Sequence, residues 1–187
     1  MKIVAGDLRG RTLRTPPGRV LRPTQGHVRQ VLFDVVGEEI SDARVLDLFA
    51  GIGALGIEAL SRGASEALFV ERDTAVLKFL RENVETMGLG DRSRVLGVSV
   101  NVALRLLEEE EGSFRWVFAD PPYGQRADLW LAHVERPGPG GILSAGGTLV
   151  LEMSKRDAIE ERFGALRRRR THEVGETKLE FFGWEGS

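Results

Sequence analysis

The segment VLDLFAGIGALGIEAL, residues 45–60, decides the fold. It begins as a short apolar run, typical of a strand buried on both faces, and continues with helical periodicity. Gly51, Gly53 and Gly56 separate the two patterns at the spacing of a dinucleotide-binding fingerprint. Such glycines let the backbone approach a ligand, and the next helix presents its free N-terminal amides. The segment therefore predicts a strand–turn–helix unit that holds a nucleotide-like cofactor.

Strand and helix patterns alternate on the C-terminal side of this unit. Counting its own strand, the short apolar runs that predict buried parallel strands are 44–50, 67–71, 94–98, 115–119 and 147–153. Helical periodicity covers residues 54–62, 74–87, 101–110 and 127–135. Strands that alternate with helices favour right-handed crossover units in a doubly wound sheet.

The end of the chain has a different pattern. Two strand candidates, 165–173 and 176–184, follow each other with a turn around Gly175 between them. Strands joined by so short a turn run antiparallel. We therefore predict an α/β, Rossmann-like fold with a doubly wound, mostly parallel sheet of seven strands that ends in an antiparallel hairpin.

The first 40 residues precede the alternating region. Residues 1–23 favour a short β-hairpin followed by a proline-rich loop. Thr24 can cap a helix whose apolar residues recur at helical spacing. We predict that residues 1–40 form a hairpin and helix extension within the same compact unit as a cofactor-binding domain of residues 41–187.

Charge is distributed unevenly along the chain. Residues 1–30 contain seven basic residues and one acid, a net charge of +6, whereas the whole chain has a net charge of −2. A basic segment on an acidic body favours a face that binds a polyanion. A solvated arm without a partner is the alternative reading of the same charges.

Composition excludes several classes of site. The chain has no cysteine, which removes disulfides, thiolate zinc sites and cysteine nucleophiles. Its three histidines lack ligand spacing, so we expect no metal. Nothing near the start resembles a signal peptide, and no apolar stretch approaches the roughly 20 residues of a membrane helix. We expect a cytoplasmic protein that does not contact a membrane.

Two carboxylates favour one class of cofactor. Asp47 lies inside the first strand, four residues before Gly51, where a dehydrogenase fingerprint has apolar residues. S-adenosylmethionine carries an ammonium group that such a carboxylate can bind. Glu71 ends the next strand and can accept hydrogen bonds from ribose hydroxyls in either cofactor class. The pattern favours S-adenosylmethionine, with a nicotinamide-dependent oxidoreductase as the alternative from another class.

The segment Asp120-Pro121-Pro122-Tyr123 follows the fourth strand and predicts the reaction. An acidic side chain and a nearby carbonyl can accept both protons of an amino group, which directs the nitrogen lone pair at an electrophile. Tyr123 can stack on a flat base. An ordinary Asp-Pro turn is the alternative, but ligands collect at the carboxyl ends of strands in such sheets. Together with the glycine turn, the segment predicts methyl transfer to an exocyclic base nitrogen.

The sequence resembles a known family, the bacterial 16S ribosomal RNA guanine-N2 methyltransferases of the small-subunit methyltransferase D type. The resemblance runs through nearly the whole chain. It is carried by IVAGDLRGRTL (3–13), LRPTQGHVRQVLFD (21–34), LDLFAGIGALGIEALSRGA (46–64), FVERD (69–73) and DPPY (120–123). The two N-terminal segments are the narrowest signal, since the later ones occur in many amino-group methyltransferases.

The resemblance implies a class I methyltransferase fold, S-adenosylmethionine as cofactor, and methylation of N2 of guanine 966 in 16S ribosomal RNA. It implies a substrate that is the small subunit or an assembly intermediate. Catalytic residues are expected at Asp120, Pro121, Pro122 and Tyr123. Cofactor contacts are expected at Asp47, Phe49, Gly51, Gly53, Glu71, Arg72, Ser99, Val100 and Asp120. Ser99 departs from the Asp or Asn common in relatives, which affects the adenine contact.

Phosphate contacts are expected from basic residues of the N-terminal extension. The candidates are Arg9, Arg11, Arg14, Arg22 and Arg29. Arg29 could instead cap the cofactor pocket or pair with an acid. The motifs between residues 45 and 123 also fit an amino-group methyltransferase that acts on adenine in DNA or on another RNA. A catalytically silent RNA-binding module is a further alternative.

Overall fold

The computed structural model describes residues 1–18, 23–108, 113–122, 128–134 and 141–185. Two predicted site residues, Arg22 and Tyr123, lie outside the described residues. The same holds for the ends of the helix candidates at 101–110 and 127–135.

One mixed sheet forms the centre of the molecule. Its strands are β1 Arg44–Asp47, β2 Glu66–Val70, β3 Ser93–Leu96, β4 Phe114–Ala119, β5 Leu143–Ser154, β6 Arg162–Phe163, β7 Leu166–Val174 and β8 Thr177–Trp184. They lie in the order β3-β2-β1-β4-β5-β8-β7-β6. β1 to β5 are mutually parallel, whereas β8, β7 and β6 pair antiparallel. This confirms the predicted sheet and its C-terminal hairpin.

The described sheet has one strand more than predicted. β6 is two residues long and pairs with the start of β7 at the sheet edge. Two residues show no hydrophobic periodicity, so sequence patterns do not reveal such a strand.

Helices cover both faces of the sheet. They are α1 Pro23–Val36, α2 Ala54–Ser61, α3 Thr74–Thr86, α4 Val100–Glu108 and α5 Asp128–Val134, with 3-10 turns at Gly37–Ile40 and Gly90–Arg92. α1, α2 and α3 pack on one face, here called the α1 face, and α4 and α5 pack on the other. Strand residues alternate between the two cores; Phe118 of β4 faces α1, whereas Val117 belongs to the opposite core.

The strand order reverses at β1. The chain runs outward from β1 through β2 to β3 and then returns to β4 on the other side of β1. Asp47 at the end of β1 is paired with Phe118 of β4. The segments that follow β1 and β4 therefore lie side by side at the switch point, where doubly wound sheets bind ligands.

The N-terminal hairpin, residues 1–14, is less regular than predicted. Its one ladder contact is the antiparallel bridge between Lys2 and Thr12, flanked by a hydrogen bond from Ile3 N to Arg11 O at 3.0 Å. Ile3 and Leu13 are both 2% exposed. Burial of these two side chains against the α1 face holds the hairpin more than its short ladder does.

Among the described helices, none has the length and apolar content that crossing a bilayer requires.

Candidate active site

The glycine turn joins β1 to α2 in a conformation that requires glycine. Gly53 has φ +89°, and its N–H donates to the carbonyl oxygen of Ala50 at 2.7 Å. A Cβ atom at Gly53 would lie 2.6 Å from Cδ1 of Leu80 on α3. The positive φ disfavours a side chain at this position, and a Cβ would also require the Leu80 side chain to move. The turn therefore packs directly on α3.

Asp47 lies beneath this turn. It is 1% exposed, and its Oδ2 accepts a hydrogen bond from the N–H of Gly56 at 3.0 Å. Its Oδ1 is buried and has no hydrogen-bond partner among the described residues. Burial raises the pKa of Asp47 to about 7; the Gly56 N–H opposes the shift, and the charges of Asp120 and Glu71 add to it. A buried carboxyl with one free oxygen and like-charged neighbours fits a cationic ligand group.

Glu71 fixes the turn from the neighbouring strand. Its Oε2 accepts the N–H of Gly51 at 2.9 Å, and its Oε1 accepts the N–H of Asp73 at 2.7 Å. Asp73 in turn caps α3 by accepting from the N–H of Ala75 at 2.9 Å. Arg72 is exposed. Glu71 thus holds the ends of β1 and β2 at a fixed spacing, and its contact with a ribose stays a prediction.

The other predicted cofactor residues border the same sheet edge. Phe49 is half-buried, and its ring meets that of Trp130 edge-on with centroids 5.7 Å apart. The carbonyl of Ser99 accepts the N–H of Ala103 at 2.9 Å at the start of α4. Val100 is 8% exposed. Phe49 thereby joins the glycine turn to α5 and the opposite core.

Asp120 directly follows β4, with Pro121 half-buried and Pro122 exposed. Side chains alternate along a strand, so Asp120 is on the same face as Phe118 and Asp47. Its charge acts on the carboxyl of Asp47. The structure therefore brings Asp47, predicted to bind the cofactor, and Asp120, predicted to bind the base, together at the switch point.

The sequence analysis did not identify a third carboxyl group, Glu152, that lies near Asp47 and Asp120 at the carboxyl ends of the strands. Glu152 lies on β5, one residue past Leu151, which pairs with Ala119 of β4. Burial and the charge of Asp120 raise the pKa of Glu152 to about 8. The signal was present, because Glu152 is the one charged residue in the apolar run 147–153.

The predicted RNA-binding arginines divide into two groups. Arg9 is exposed. Arg11 donates from Nη2 to the carbonyl oxygen of Thr86 at 2.7 Å, and Arg14, whose side chain is 65% exposed, pairs with Glu82 at 3.3 Å. These three lie on the N-terminal hairpin where a polyanion can reach them.

Arg29 is not available to RNA, and its assignment to phosphate binding was wrong. It is 4% exposed, with Nε 3.4 Å from Oε2 of Glu58 and Nη2 donating to the carbonyl oxygen of Lys2 at 2.6 Å. Burial lowers the pKa of Arg29 from its usual value, against the opposing effect of Glu58. The alternative considered from the sequence, in which Arg29 pairs with an acidic residue, agrees with its ion pair with Glu58.

Glu58 and Asn83 were not singled out from the sequence. Glu58, fully buried on α2, accepts the N–H groups of Val4 and Ala5 at 2.8 and 2.9 Å. Asn83, 1% exposed on α3, accepts the N–H of Arg14 at 2.7 Å. A polar residue inside an amphipathic helix pattern indicates a buried contact but not its partner, which is here more than 50 residues away.

A family model described as "Conserved hypothetical protein 95" matches residues 1–183. The chain belongs to this family.

Curated relatives of this family member carry methyltransferase names. The "Putative rRNA methyltransferase YlbH" of Bacillus subtilis (strain 168) is 32% identical over 187 residues, which cover 100% of both chains. The "Ribosomal RNA small subunit methyltransferase D" of Escherichia coli (strain K12) is 42% identical over 123 residues, which cover 66% of this chain and 60% of that one. The resemblance to the methyltransferase D type is confirmed.

Solved structures give the same result for the fold of this family. The putative methyltransferase yhhF from Escherichia coli has a TM-score of 0.84 and 28% identity, covering 100% of this chain and 99% of that one. A Thermus thermophilus 16S rRNA N2 methyltransferase in complex with AdoMet and guanosine has a TM-score of 0.69 and 28% identity, covering 90% and 44%. The predicted class I methyltransferase fold and the cofactor S-adenosylmethionine are confirmed.

Proposed function

We propose that this protein transfers a methyl group from S-adenosylmethionine to the N2 amino group of guanine 966 in 16S ribosomal RNA. The observation that carries the proposal is the pairing of Asp47 with Phe118 on the neighbouring strand. This pairing sets Asp120, two residues past Phe118, beside the Asp47 side chain that is expected to bind the cofactor. The printed names of the relatives support the ribosomal substrate. The small subunit or an assembly intermediate in the cytoplasm is the proposed site of action.

Asp47 is the residue best suited to hold the cofactor. S-adenosylmethionine, when bound, supplies an ammonium group and a methyl group on a cationic sulfur. The free Oδ1 of Asp47 accepts the ammonium protons, while its Oδ2 stays on Gly56. Glu71 keeps the glycine turn in place and presents its remaining acceptor capacity to the ribose. Phe49, Gly51, Gly53, Arg72, Ser99 and Val100 complete the proposed cofactor site.

Asp120 orients the acceptor nitrogen. Its carboxylate accepts one proton of the guanine amino group, and a carbonyl of the Pro121-Pro122 segment accepts the other. The nitrogen lone pair then faces the methyl group, and Asp120 takes the proton that the nitrogen releases. Alignment of reacting groups contributes up to about 7–11 kcal/mol in such reactions. Tyr123 stacks on the guanine, which leaves its own stack to enter the site.

The N-terminal extension, residues 1–40, provides the proposed RNA-binding face of the catalytic domain 41–187. Arg9, Arg11, Arg14 and Arg22 contact phosphates, which fix the RNA without reading its sequence. The net charge of +6 over residues 1–30 supports this role.

Transfer of labelled methyl groups to small subunits that lack the modification tests the proposal. Naked 16S RNA and duplex DNA serve as parallel substrates. Label on guanine N2 at position 966 is the expected result. Label confined to DNA or another RNA would keep the chemistry and reject the substrate, and no label on any substrate would reject the activity.

A further inference from the structure

Glu152 occupies a defined place beside the proposed catalytic loop. β4 and β5 are parallel, and Ala119 is paired with Leu151 at the end of their shared ladder. Asp120 and Glu152 are the next residues on the two strands. Neighbouring strands lie about 4.8 Å apart, and paired residues point to the same face. The two carboxyl groups therefore lie side by side on the α1 face.

The same row contains Asp47, whose Oδ1 is buried and without a hydrogen-bond partner among the described residues. Asp47, Asp120 and Glu152 thus form a row across the carboxyl ends of β1, β4 and β5. Asp47 lies beneath the cofactor turn, and Asp120 follows β4 at the base-binding loop. Glu152 is the member farthest from the glycine turn, on the other side of Asp120 from Asp47.

The Glu152 carboxyl has no structural task of its own. In the described part of the chain, it receives no hydrogen bond and forms no ion pair. Its neighbour on β8 is Leu179, a fully buried apolar residue. Glu152 is half-buried, and a partly desolvated carboxylate gains stability from a donor that a ligand supplies. By contrast, the buried Glu180 on the other face is held by Lys178 at 3.3 Å.

We propose that Glu152 accepts a hydrogen bond from N1–H of the target guanine and thereby selects guanine over adenine. This inference rests on the proposed function, since it names the group that reads the base held by Asp120. In guanine the ring atom next to the amino group is a hydrogen-bond donor. In adenine the equivalent atom is an acceptor, whose lone pair a carboxylate oxygen repels. A site built to bind a donor discriminates strongly against an analogue that lacks it.

The charges of the site agree with this role. The raised pKa of Glu152 arises from burial and from Asp120. A bound cationic cofactor and the N1–H donor both favour the carboxylate form. Glu152 therefore becomes a carboxylate acceptor when cofactor and guanine are present together.

The test uses ligated 16S RNA with either guanine or 2-aminopurine at the methylated nucleotide, assembled into small subunits. 2-Aminopurine keeps the amino group but has an acceptor at N1. The readout is the ratio of kcat/KM for the two substrates, which a general loss of folding or cofactor binding leaves unchanged. Wild type should prefer guanine by about tenfold or more. Glu152→Gln presents an amide donor to 2-aminopurine, and its ratio should fall to about threefold or less.

Glu152→Ala is the second variant, since it removes the acceptor without supplying a donor. It should lose activity on guanine and retain the slower activity on 2-aminopurine. Glu160→Gln, at an exposed site, is the matched control and should keep the wild-type ratio. A wild-type ratio near one, or a wild-type ratio in both Glu152 variants, would overturn the role of Glu152 while leaving the methyltransferase intact. Absence of label in guanine subunits with wild type would instead overturn the proposed function.

Discussion

Asn83 donates a hydrogen bond of 3.0 Å from Nδ2 to the carbonyl oxygen of Ile52, in the middle of the glycine turn. The same amide group donates to the carbonyl oxygen of Arg14 at 3.1 Å and accepts from its N–H at 2.7 Å. One buried side chain therefore connects the cofactor turn with the basic hairpin. No side chain other than an amide could supply both donors and the acceptor in this place.

Asn83→Ala should destabilise the protein and loosen the cofactor turn together. Three backbone groups would be left without their buried partner, and each such group costs about 1–3 kcal/mol. We expect the free energy of unfolding to fall by at least about 2 kcal/mol, and the Kd for S-adenosylmethionine to rise. Chemical denaturation and calorimetry measure the two effects. Asn101→Ala, at an exposed position on α4, should change neither; equal effects of both substitutions would contradict the assignment.

Asp47 should make cofactor binding depend on pH. Its pKa of about 7 means that the protonated form dominates below neutrality, while a cationic ligand requires the carboxylate. Affinity for S-adenosylmethionine should therefore increase about tenfold between pH 5.5 and pH 7. Asp47→Asn should bind more weakly and with a much flatter pH profile. Calorimetric titrations in this range measure both, with the exposed Asp91→Asn as control; a steep profile in Asp47→Asn would place the titrating group elsewhere.

Asp120 should affect turnover rather than cofactor binding. Asp120→Ala removes the group that we propose orients the amino nitrogen and accepts its proton, effects worth about 10²–10⁴ in rate. We expect kcat to fall by at least about 100-fold while the Kd for S-adenosylmethionine changes by less than about threefold. Single-turnover kinetics and calorimetry separate the two quantities. Asp157→Asn, at an exposed site past β5, should behave as wild type. An equal loss of kcat and cofactor affinity in Asp120→Ala would contradict its role.

Gly6 should decide whether the N-terminal hairpin stays docked. Gly6 has φ +76°, and a Cβ atom there would lie 1.7 Å from the carbonyl oxygen of Ser61 on α2. Gly10 has φ +82°, and a Cβ atom at Gly10 would have no other atom within 4 Å. Gly10→Ala measures the strain of the left-handed backbone alone, about 1–2 kcal/mol. Gly6→Ala should cost clearly more and accelerate proteolysis of the hairpin. Identical denaturation midpoints for the two variants would show that the contact with Ser61 is unimportant.

The basic face predicts a salt-dependent RNA affinity. Reversing Arg9, Arg11 and Arg14 to glutamate should weaken binding of 16S RNA and reduce the slope of log K against log salt by roughly 1 for each phosphate that an arginine no longer neutralises. Filter binding over a potassium chloride series measures the slope. Arg156→Glu, whose side chain is 84% exposed, is the control for a single charge reversal outside the N-terminal hairpin. An unchanged slope in the triple variant would place the RNA on another surface.

Much of the fold follows from local sequence patterns. The apolar runs around Val45, Leu68, Val117 and Leu149 are buried strands, and their alternation with helices fixes the parallel part of the sheet. The glycine turn and Asp120 could be placed because both follow strands directly, and the fold brings the carboxyl ends of parallel strands to one edge.

Contacts between distant segments could not be predicted in the same way. Arg29 is a basic residue in the basic N-terminal segment, which suggested a contact with RNA. Only the packing of α1 on α2 shows that its charge is neutralised by Glu58. Glu152 lies within an apolar run of the sequence. Its position beside Asp120 depends on the register between β4 and β5, which the sequence does not reveal. Periodicity reports which face a residue occupies, but the partner across that face is a property of the tertiary structure.

The carboxylate of Glu58 on α2 makes the N-terminal extension and the rest of the protein depend on each other. It accepts from Val4 and Ala5, and it pairs with Arg29 at 3.4 Å and with Arg62 at 2.9 Å. Three of these four partners belong to the first 40 residues, so a chain without them would keep a buried charge with Arg62 alone. An arm joined in this way cannot be removed or exchanged between relatives without a simultaneous change on α2. The exposed side chains of Arg9 and Arg11 take no part in this buried cluster, so they can change without disturbing Glu58.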